Sequence, residues 1–238
     1  MRKIAAAAAM AFIAASVSAG TLVVRDDGVR VSIEGASFRM DMPPATPIVC
    51  DSIVSRDGKN AACLNSELHT WFENANPGAM SPRRLAVNGA KLNLDSPKID
   101  AHDETSGETI AGHPTEKHVI LAKYTLIDSR SGTDVRIFIT ATAILWTAPD
   151  LPALPFRGGI VSGYAEIDER FAAIFQTFNG MVVKQTLAVT AMYERGRPFT
   201  DTLSWSATSI EPKTFGATTF DVPANYRHEF PQVVAPAR

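Results

Sequence analysis

The chain has 238 residues, with 23 basic and 25 acidic side chains and a formal net charge of −2. This balance excludes the basic surface that binding to nucleic acid or to an anionic membrane requires. The 45% hydrophobic content is that of a globular chain with a core rather than of a disordered one.

The first 19 residues predict a secretory signal peptide. Arg2 and Lys3 form a positive start, Ile4 to Ala15 is an apolar run, and Val17 and Ala19 stand where a signal peptidase reads. A membrane anchor is the alternative, but the run is shorter than the roughly 20 residues that span a bilayer. Cleavage after Ala19 leaves 219 residues with 21 basic and 25 acidic side chains. Because no Cys follows this site and no later segment is long and apolar, we expect a periplasmic protein without a lipid anchor or a membrane span.

Short strand patterns dominate the first third of the exported chain. Asp26-Asp27-Gly28 and Asp57-Gly58 are typical of hairpin turns between them. The predicted strands are β-branched or aromatic runs bounded by Gly, Pro, Asn and Asp, and they cover Thr21–Arg25, Val29–Glu34, Ser37–Met42, Ile48–Ser55, Ala61–Leu64 and Leu68–Glu73.

The two cysteines, Cys50 and Cys63, are a candidate disulfide in an oxidising compartment. With Asp57-Gly58 as a two-residue loop, Ser52 faces Cys63 and Cys50 faces Asn65. The two Cys are then diagonal neighbours about 7 Å apart, so the bond needs a bulge or a shift of one pair. We predict a disulfide rather than a metal site, because the thiols have no clear partner His.

The middle of the chain changes from turn-forming residues to long strands. Residues 74–107 are rich in Pro, Gly, Asn, Asp and Ser, with a short helix near Pro82–Val87 as the only assignment offered. Glu116–Ile127 and Thr133–Thr147 are long strand patterns. In the second, Val135 to Leu145 place apolar residues on one face, while Trp146 lies on the other, which is also partly apolar. We therefore expect both faces to contact apolar partners.

One convincing helix is predicted, Gly163 to Phe178, with Ser162 as its N-cap and Gly180 as its C-cap residue. Glu166 and Arg170 are spaced for an i,i+4 ion pair. Burial of its apolar stripe contributes on the order of 10 kcal/mol before entropy, so the helix should pack on a sheet face. The stripe consists of Tyr164, Ile167, Phe171, Ile174, Phe175 and Phe178.

Strands are predicted again at Met181–Glu194, Asp201–Ile210 and Thr218–Val222, before a flexible tail from His228 to Arg238. No linker divides the chain, so residues 20–227 are assigned to one domain. The expected fold is mainly β with one or two helices. It is a curved antiparallel sheet forming a half-open barrel, with a helix packed on the concave face.

Three segments together resemble a bacterial family, the domain of unknown function 4412. They are Gly107–His118, which contains Glu-Thr-Ile-Ala-Gly, then Leu145–Pro152, where a Trp-ending strand meets an Asp-Leu-Pro turn, and Thr219–Tyr226. The family is similar in architecture to the periplasmic lipoprotein carrier LolA. The resemblance implies a half-open barrel with an apolar concave face and a helical lid. His118 stands where the family tends to have an aromatic residue, and the family supplies no catalytic residues to carry over.

Candidate catalytic and metal-ligating residues are few. Gly159-Ile160-Val161-Ser162-Gly163 places its Ser one position late for a nucleophile elbow, and Ser162 is better explained as a helix cap. No phosphate loop, dinucleotide-binding glycine pattern or Cys-His signature is present, and no cofactor is expected. One group of histidines and acidic residues is considered as a metal site, which needs three converging ligands, but a solvated, loop-rich edge is the favoured interpretation. The group consists of His102, Asp103, Glu104, His113, Glu116 and His118.

The leading hypothesis is a non-enzymatic periplasmic carrier that holds a lipid, an acyl chain or a lipidated partner between sheet and helix. The predicted ligand-binding residues are Phe171, Ile174, Phe175 and Phe178, with Trp146 opposite them. The alternative is a structural or interaction module of the envelope, in which helix and sheet fill each other's apolar surface. A third alternative is a hydrolase whose site the sequence does not reveal. Neither the ligand nor the oligomeric state follows from the sequence.

Overall fold

The structure of the protein is a computed structural model that describes residues 19–43, 50–74, 93–105, 107–128, 132–153, 165–194 and 196–229. Within these residues the chain forms fourteen strands and one helix. In chain order they are β1 (Gly20–Arg25), β2 (Arg30–Glu34), β3 (Ser37–Asp41), β4 (Ser52–Ser55), β5 (Ala61–Asn65), β6 (Thr70–Asn74), β7 (Asn93–Glu104), β8 (Thr109–Ile110), β9 (His113–Pro114), β10 (Glu116–Asp128), β11 (Val135–Ala148), α1 (Ala165–Phe175), β12 (Met181–Tyr193), β13 (Phe199–Lys213) and β14 (Arg227–His228).

Twelve of these strands form one large, curved sheet that does not close into a barrel. Its order is β14-β6-β5-β4-β3-β2-β1-β13-β12-β11-β10-β7, and every neighbouring pair is antiparallel except β14 with β6. The sheet therefore consists of two meanders, β1–β6 and β10–β13, joined where β1 pairs with β13, with β14 and β7 as its two edge strands. β8 and β9 form a separate small hairpin whose turn, Ala111-Gly112, has two positive φ angles, as a two-residue hairpin loop requires. The predicted mainly β class with a curved antiparallel sheet is confirmed.

The long strands β10–β13 have one distinctly apolar face, which we call the apolar face. One cross-strand row on it runs through Ile120, Ala143, Leu187 and Leu203, which pair in that order. Directly paired residues in an antiparallel sheet point to the same side, so the rows on either side extend this surface. Its buried members include Tyr124, Ile137, Ile139 and Val189. Helix α1 packs against the same cluster.

The opposite face of β11–β13 carries mainly hydroxyl side chains, and we call it the outer face. Thr190 and Thr200 are directly paired and hydrogen-bonded at 2.9 Å. Thr186 and Ser204 form the next such pair, at 3.1 Å. The expectation that both faces of β11 meet apolar partners is confirmed only at one end of the outer face, where Ile144 and Trp146 pack in a second core. Threonine suits an exposed pleated surface, and only the end of the strand near Trp146 is buried on this side.

A second core joins the two meanders. It includes Val23, Phe38 and Ile53 from the first meander, together with Trp146 and Met181 from the second. On the other side of β4 and β5, Val222 and Tyr226 cover a third small cluster. The C-terminal segment is also fixed to the β4–β5 turn by an ion pair between Arg56 and Asp221.

Three predicted elements differ from the structure. Residues 93–104, for which the sequence predicts no element, form the long edge strand β7. Its exposed polar side chains and Pro97 remove the apolar alternation that identifies a strand. Thr218–Val222 forms turns instead of a strand, and its apolar signal comes from Phe220, which is buried against Phe215. His228, placed at the start of the flexible tail, pairs with Trp71 in β6. The short helix near Pro82–Val87 lies outside the described residues.

The hairpin that carries the disulfide has a register one residue away from the predicted one. Ile53, not Ser52, pairs with Cys63, because the loop between β4 and β5 spans five residues, Arg56–Asn60. The Asp57 carboxylate closes this loop by accepting the backbone N–H groups of Lys59 and Asn60, and these bonds lower the pKa of Asp57 to about 2. In this register Cys50 and Cys63 are bonded, with a Cα–Cα distance of 5.5 Å.

Candidate functional site

Helix α1 contributes the apolar stripe predicted from the sequence. Ile167, Phe171 and Phe175 are buried in the cluster of the apolar face, and Phe171 is only 2% exposed. Ile174 and Phe178 are half-buried against it. The helix ends at Phe175 and not, as predicted, at Phe178, which lies just beyond it. The structure still brings together the four residues of this segment that were predicted to bind a ligand, and protein atoms alone already cover Phe171 and Phe175.

Contacts of Arg170 hold the helix against one edge of the sheet. Glu166 and Arg170 form the predicted i,i+4 pair at 3.0 Å, and Arg170 also donates to the carbonyl of Pro97 on β7 at 3.2 Å. The helix is therefore tied to the β7 edge of the sheet. Gly180, predicted as a C-cap, lies five residues beyond the helix. A Cβ there would be 2.0 Å from the carbonyl oxygen of Ala148, so this glycine permits a close backbone approach. Ser162, the predicted N-cap, lies outside the described residues.

The apolar face extends beyond the part that is buried with the helix. Leu187 on β12 is buried, but its partner Leu203 on β13 is 38% exposed. In a neighbouring row, Ala191 is half-buried and its partner Phe199 is 63% exposed. The apolar surface is thus buried at β10 and β11 and open to solvent at β13. This arrangement leaves an open apolar track on β13, in which Leu203 and Phe199 lie on either side of Asp201 on the same face.

A polar row bounds the apolar face at one end. His118, Leu145, Gln185 and Trp205 pair in sequence across β10–β13. His118 is buried. Its Nδ1 is 2.6 Å from Asp103 Oδ1 and its Nε2 is 2.9 Å from Thr147 Oγ1. Phe178, just after the helix, stacks on the imidazole with ring centroids 3.9 Å apart. Through these contacts His118 connects the segment just after the helix to β7, β10 and β11.

The order carboxylate, imidazole, hydroxyl resembles a hydrolase triad. Such a triad needs a hydroxyl that a substrate can reach. Thr147 is 0% exposed, and Phe178 covers the imidazole, so the hydroxyl is inaccessible in this conformation. The arrangement satisfies buried polar groups and positions Phe178.

At the far end of the polar row, Arg25 lies over the ring of Trp205, with the guanidinium carbon 4.1 Å from the ring centroid. Asp27 binds the same guanidinium. Burial lowers the pKa of Arg25 from its ordinary value, and the hydrogen bond and charge of Asp27 oppose this. The sequence-based site omitted Arg25, Leu203 and Phe199. The signal for the last two was the alternation of apolar and hydroxyl residues from Phe199 to Ala207, which only Asp201 interrupts.

Trp146 does not join the helix stripe. It follows Leu145 in an extended strand, so its side chain points to the other face, where it belongs to the second core. Lys117 and Lys184, its two cross-strand neighbours, lie over its ring at 5.8 and 4.3 Å. Its predicted position opposite the phenylalanines is wrong, because alternation assigns two faces without saying which one the helix covers.

The histidines and acidic residues considered as metal ligands separate into pairs. His113 contacts Asp150 at 2.8 Å, and His102 contacts Glu104 at 3.4 Å. The His118–Asp103 pair is the third. Among the residues that the structure describes, no three His, Cys, Asp or Glu side chains converge as a metal site. The helix α1 is too short and too polar to cross a bilayer, and the described part of the chain has no other helix that could.

No family model, no curated protein and no solved structure matches this chain.

Proposed function

We propose that the protein is an exported, non-enzymatic carrier that holds the acyl chain of a lipid or a lipidated partner along the apolar face, beside and beneath helix α1. In this proposal the first 19 residues direct export, and the mature protein acts in the periplasm. The helix acts as a lid on the concave face of a half-open barrel. Phe171, Ile174, Phe175 and Phe178 belong to this lid.

The observation that carries the proposal is the half-covered apolar face. Leu187 is buried while its partner Leu203 and the nearby Phe199 are exposed on the same surface. Exposed apolar side chains that adjoin a buried apolar cluster mark a candidate ligand-binding surface. An acyl chain on the open part would contact the lid at its side and could reach further beneath it when the lid moves.

The resemblance to the domain of unknown function 4412 and to the lipoprotein carrier supports the same proposal. Two of the segments that carry it meet in the second core, where Ile110 and Trp146 pack together with Leu151. The pair His113–Asp150 links the same two segments. This gives a structural reason for the motifs to occur together.

An envelope interaction module is the second candidate. The burial of Phe171 and Phe175 by the protein's own atoms favours it, since a helix that fills its groove leaves less room for a ligand. The two candidates differ in whether the track beside the helix binds acyl chains.

The test is uptake of a fluorescent fatty acid by protein purified from the periplasm without detergent, with native mass spectrometry for co-purified lipid. Phe199→Ser removes a large apolar side chain from the open track, and we expect roughly tenfold weaker uptake. Phe138→Ser is the matched control, because Phe138 is an exposed phenylalanine on the outer face.

A single apo mass together with no probe uptake would overturn the carrier proposal and favour the interaction module. Equal uptake by Phe199→Ser and the control would exclude the open track as the site. Phe175→Asp adds a test of the lid: a folded variant with undiminished uptake would contradict the assignment of the helix.

A further inference from the structure

The exposed apolar side chains of the protein are concentrated at one end of the long strands. Of the seven large hydrophobic residues that are exposed in the described part of the chain, six lie where β11 begins, β12 ends and β13 begins. We call these six residues the tip: Val135, Phe138, Met192, Tyr193, Phe199 and Leu203. The seventh, Leu68, lies in the turn between β5 and β6.

The tip presents apolar side chains on both faces of the sheet. Phe138 and Met192 pair directly on the outer face, where they are 38% and 45% exposed. Tyr193 pairs with the buried Ile137 and therefore belongs to the apolar face, as does Phe199. A rigid partner that docks on a sheet covers one face only. A fluid bilayer interface can surround a strand end from both sides.

The chemistry of the tip fits the interface between lipid headgroups and acyl chains. Phenylalanine and methionine insert into apolar lipid, and tyrosine prefers the headgroup boundary. The sequences of the two connecting stretches, residues 128–136 and 192–201, together contain four arginines and four acidic residues. With no net charge there, attraction to anionic headgroups does not supply the binding free energy.

We propose that this tip docks the protein on the surface of a zwitterionic lipid bilayer. Leu203 and Phe199 belong both to the apolar track and to the tip. Docking would therefore place the open end of the track at the membrane, where an acyl chain could pass between bilayer and protein. The docking surface rests on the tip residues, and only its purpose rests on the proposed carrier function.

The experiment is co-sedimentation of the periplasmically purified protein with vesicles of phosphatidylcholine and phosphatidylethanolamine. We expect binding that changes less than about twofold between low and high salt, because the tip has no net charge. The double variant Phe138→Ser/Met192→Ser should lower the vesicle partition coefficient roughly tenfold or more. Leu68→Ser removes an apolar side chain elsewhere that is even more exposed, at 60%, and this variant should bind as the wild type does.

Wild-type protein that stays in the supernatant, or a double variant that sediments as well as the wild type, would overturn the inference. A dimer that forms with increasing concentration and is lost in the double variant, without vesicle binding, would instead assign the tip to self-association. Fatty-acid uptake is measured separately without vesicles. Vesicle binding without uptake would refute the carrier proposal alone, and uptake without vesicle binding would refute the docking surface alone.

Discussion

At the scale of single residues, His118 connects the helix segment to the sheet. Its ring nitrogens contact an exposed carboxylate, Asp103, and a fully buried hydroxyl, Thr147, while Phe178 stacks on its face. A buried hydroxyl that loses its partner costs about 1–3 kcal/mol, and a void beneath Phe178 adds to this.

We therefore expect His118→Ala to lower the free energy of unfolding by about 2–4 kcal/mol, measured by urea denaturation. Asp103→Asn is the matched control: it keeps an acceptor for the ring at an exposed position and should cost less than about 1 kcal/mol. Equal losses in the two variants would show that the buried hydroxyl and the stacked ring contribute little.

Residue-level prediction succeeded where alternation and helical spacing were enough. The spacing of Ile167, Phe171 and Phe175 identified a buried stripe, and the structure buries it. Alternation correctly placed Trp146 and Leu145 on opposite faces of β11. It did not say which of the two faces helix α1 covers. That contact is set by the tertiary fold, which local periodicity does not contain.

At the scale of elements, the β4–β5 hairpin shows how a turn decides register. The Asp57-Gly58 pair predicted a two-residue loop, but the carboxylate of Asp57 organises a five-residue loop by accepting two backbone N–H groups. Because the observed loop has an odd number of residues and the predicted loop an even number, the strand pairing shifts by one position. This shift brings Ile53 opposite Cys63. The disulfide was predicted from the compartment, and the structure allows it because Cys50 lies before β4, outside the regular strand pairing.

Removing the disulfide with Cys50→Ala/Cys63→Ala should lower the free energy of unfolding by about 3 kcal/mol, because the bond closes a loop with a sequence separation of 13. Reduced wild-type protein is the control and should show a similar loss in a denaturant titration. Unchanged stability after reduction would contradict a bonded pair in the folded protein.

The edge strand β7 shows the limit of pattern recognition for elements. It has only Leu94 and Ile99 packed against the core, and its remaining side chains are mostly polar and exposed. Charged residues and proline protect an edge from pairing with other chains, and the same residues remove the apolar alternation that identifies a strand. An edge protected in this way resembles a loop in sequence.

At the scale of the whole molecule, one sheet contains both meanders. β1 pairs with β13 over six residues, and the second core includes side chains from both meanders. The fold class followed from the many short alternating runs. The pairing of the first strand with the thirteenth could not be predicted, since no local signal specifies a partner about 190 residues away in the chain.

The pairing of β1 with β13, which we call the seam, and the second core join the two meanders. We therefore expect the meanders to unfold in a single transition. Trp71 lies in the first meander, and Trp146 and Trp205 lie in the second. Urea curves followed by the fluorescence of a Trp71-only variant, by that of a Trp71→Phe variant and by circular dichroism should therefore coincide within each variant. Two separated midpoints would show that the meanders are independent folding units.

The seam between β1 and β13 also determines at what stage of synthesis the continuous sheet can form. Gly20 pairs with Lys213, so β1 can form hydrogen bonds along its second edge only after β13 has been synthesised. Until then a growing chain can form hairpins but not the continuous sheet. The order of synthesis therefore delays the joining of the two meanders into the twelve-stranded sheet until β13 has been made.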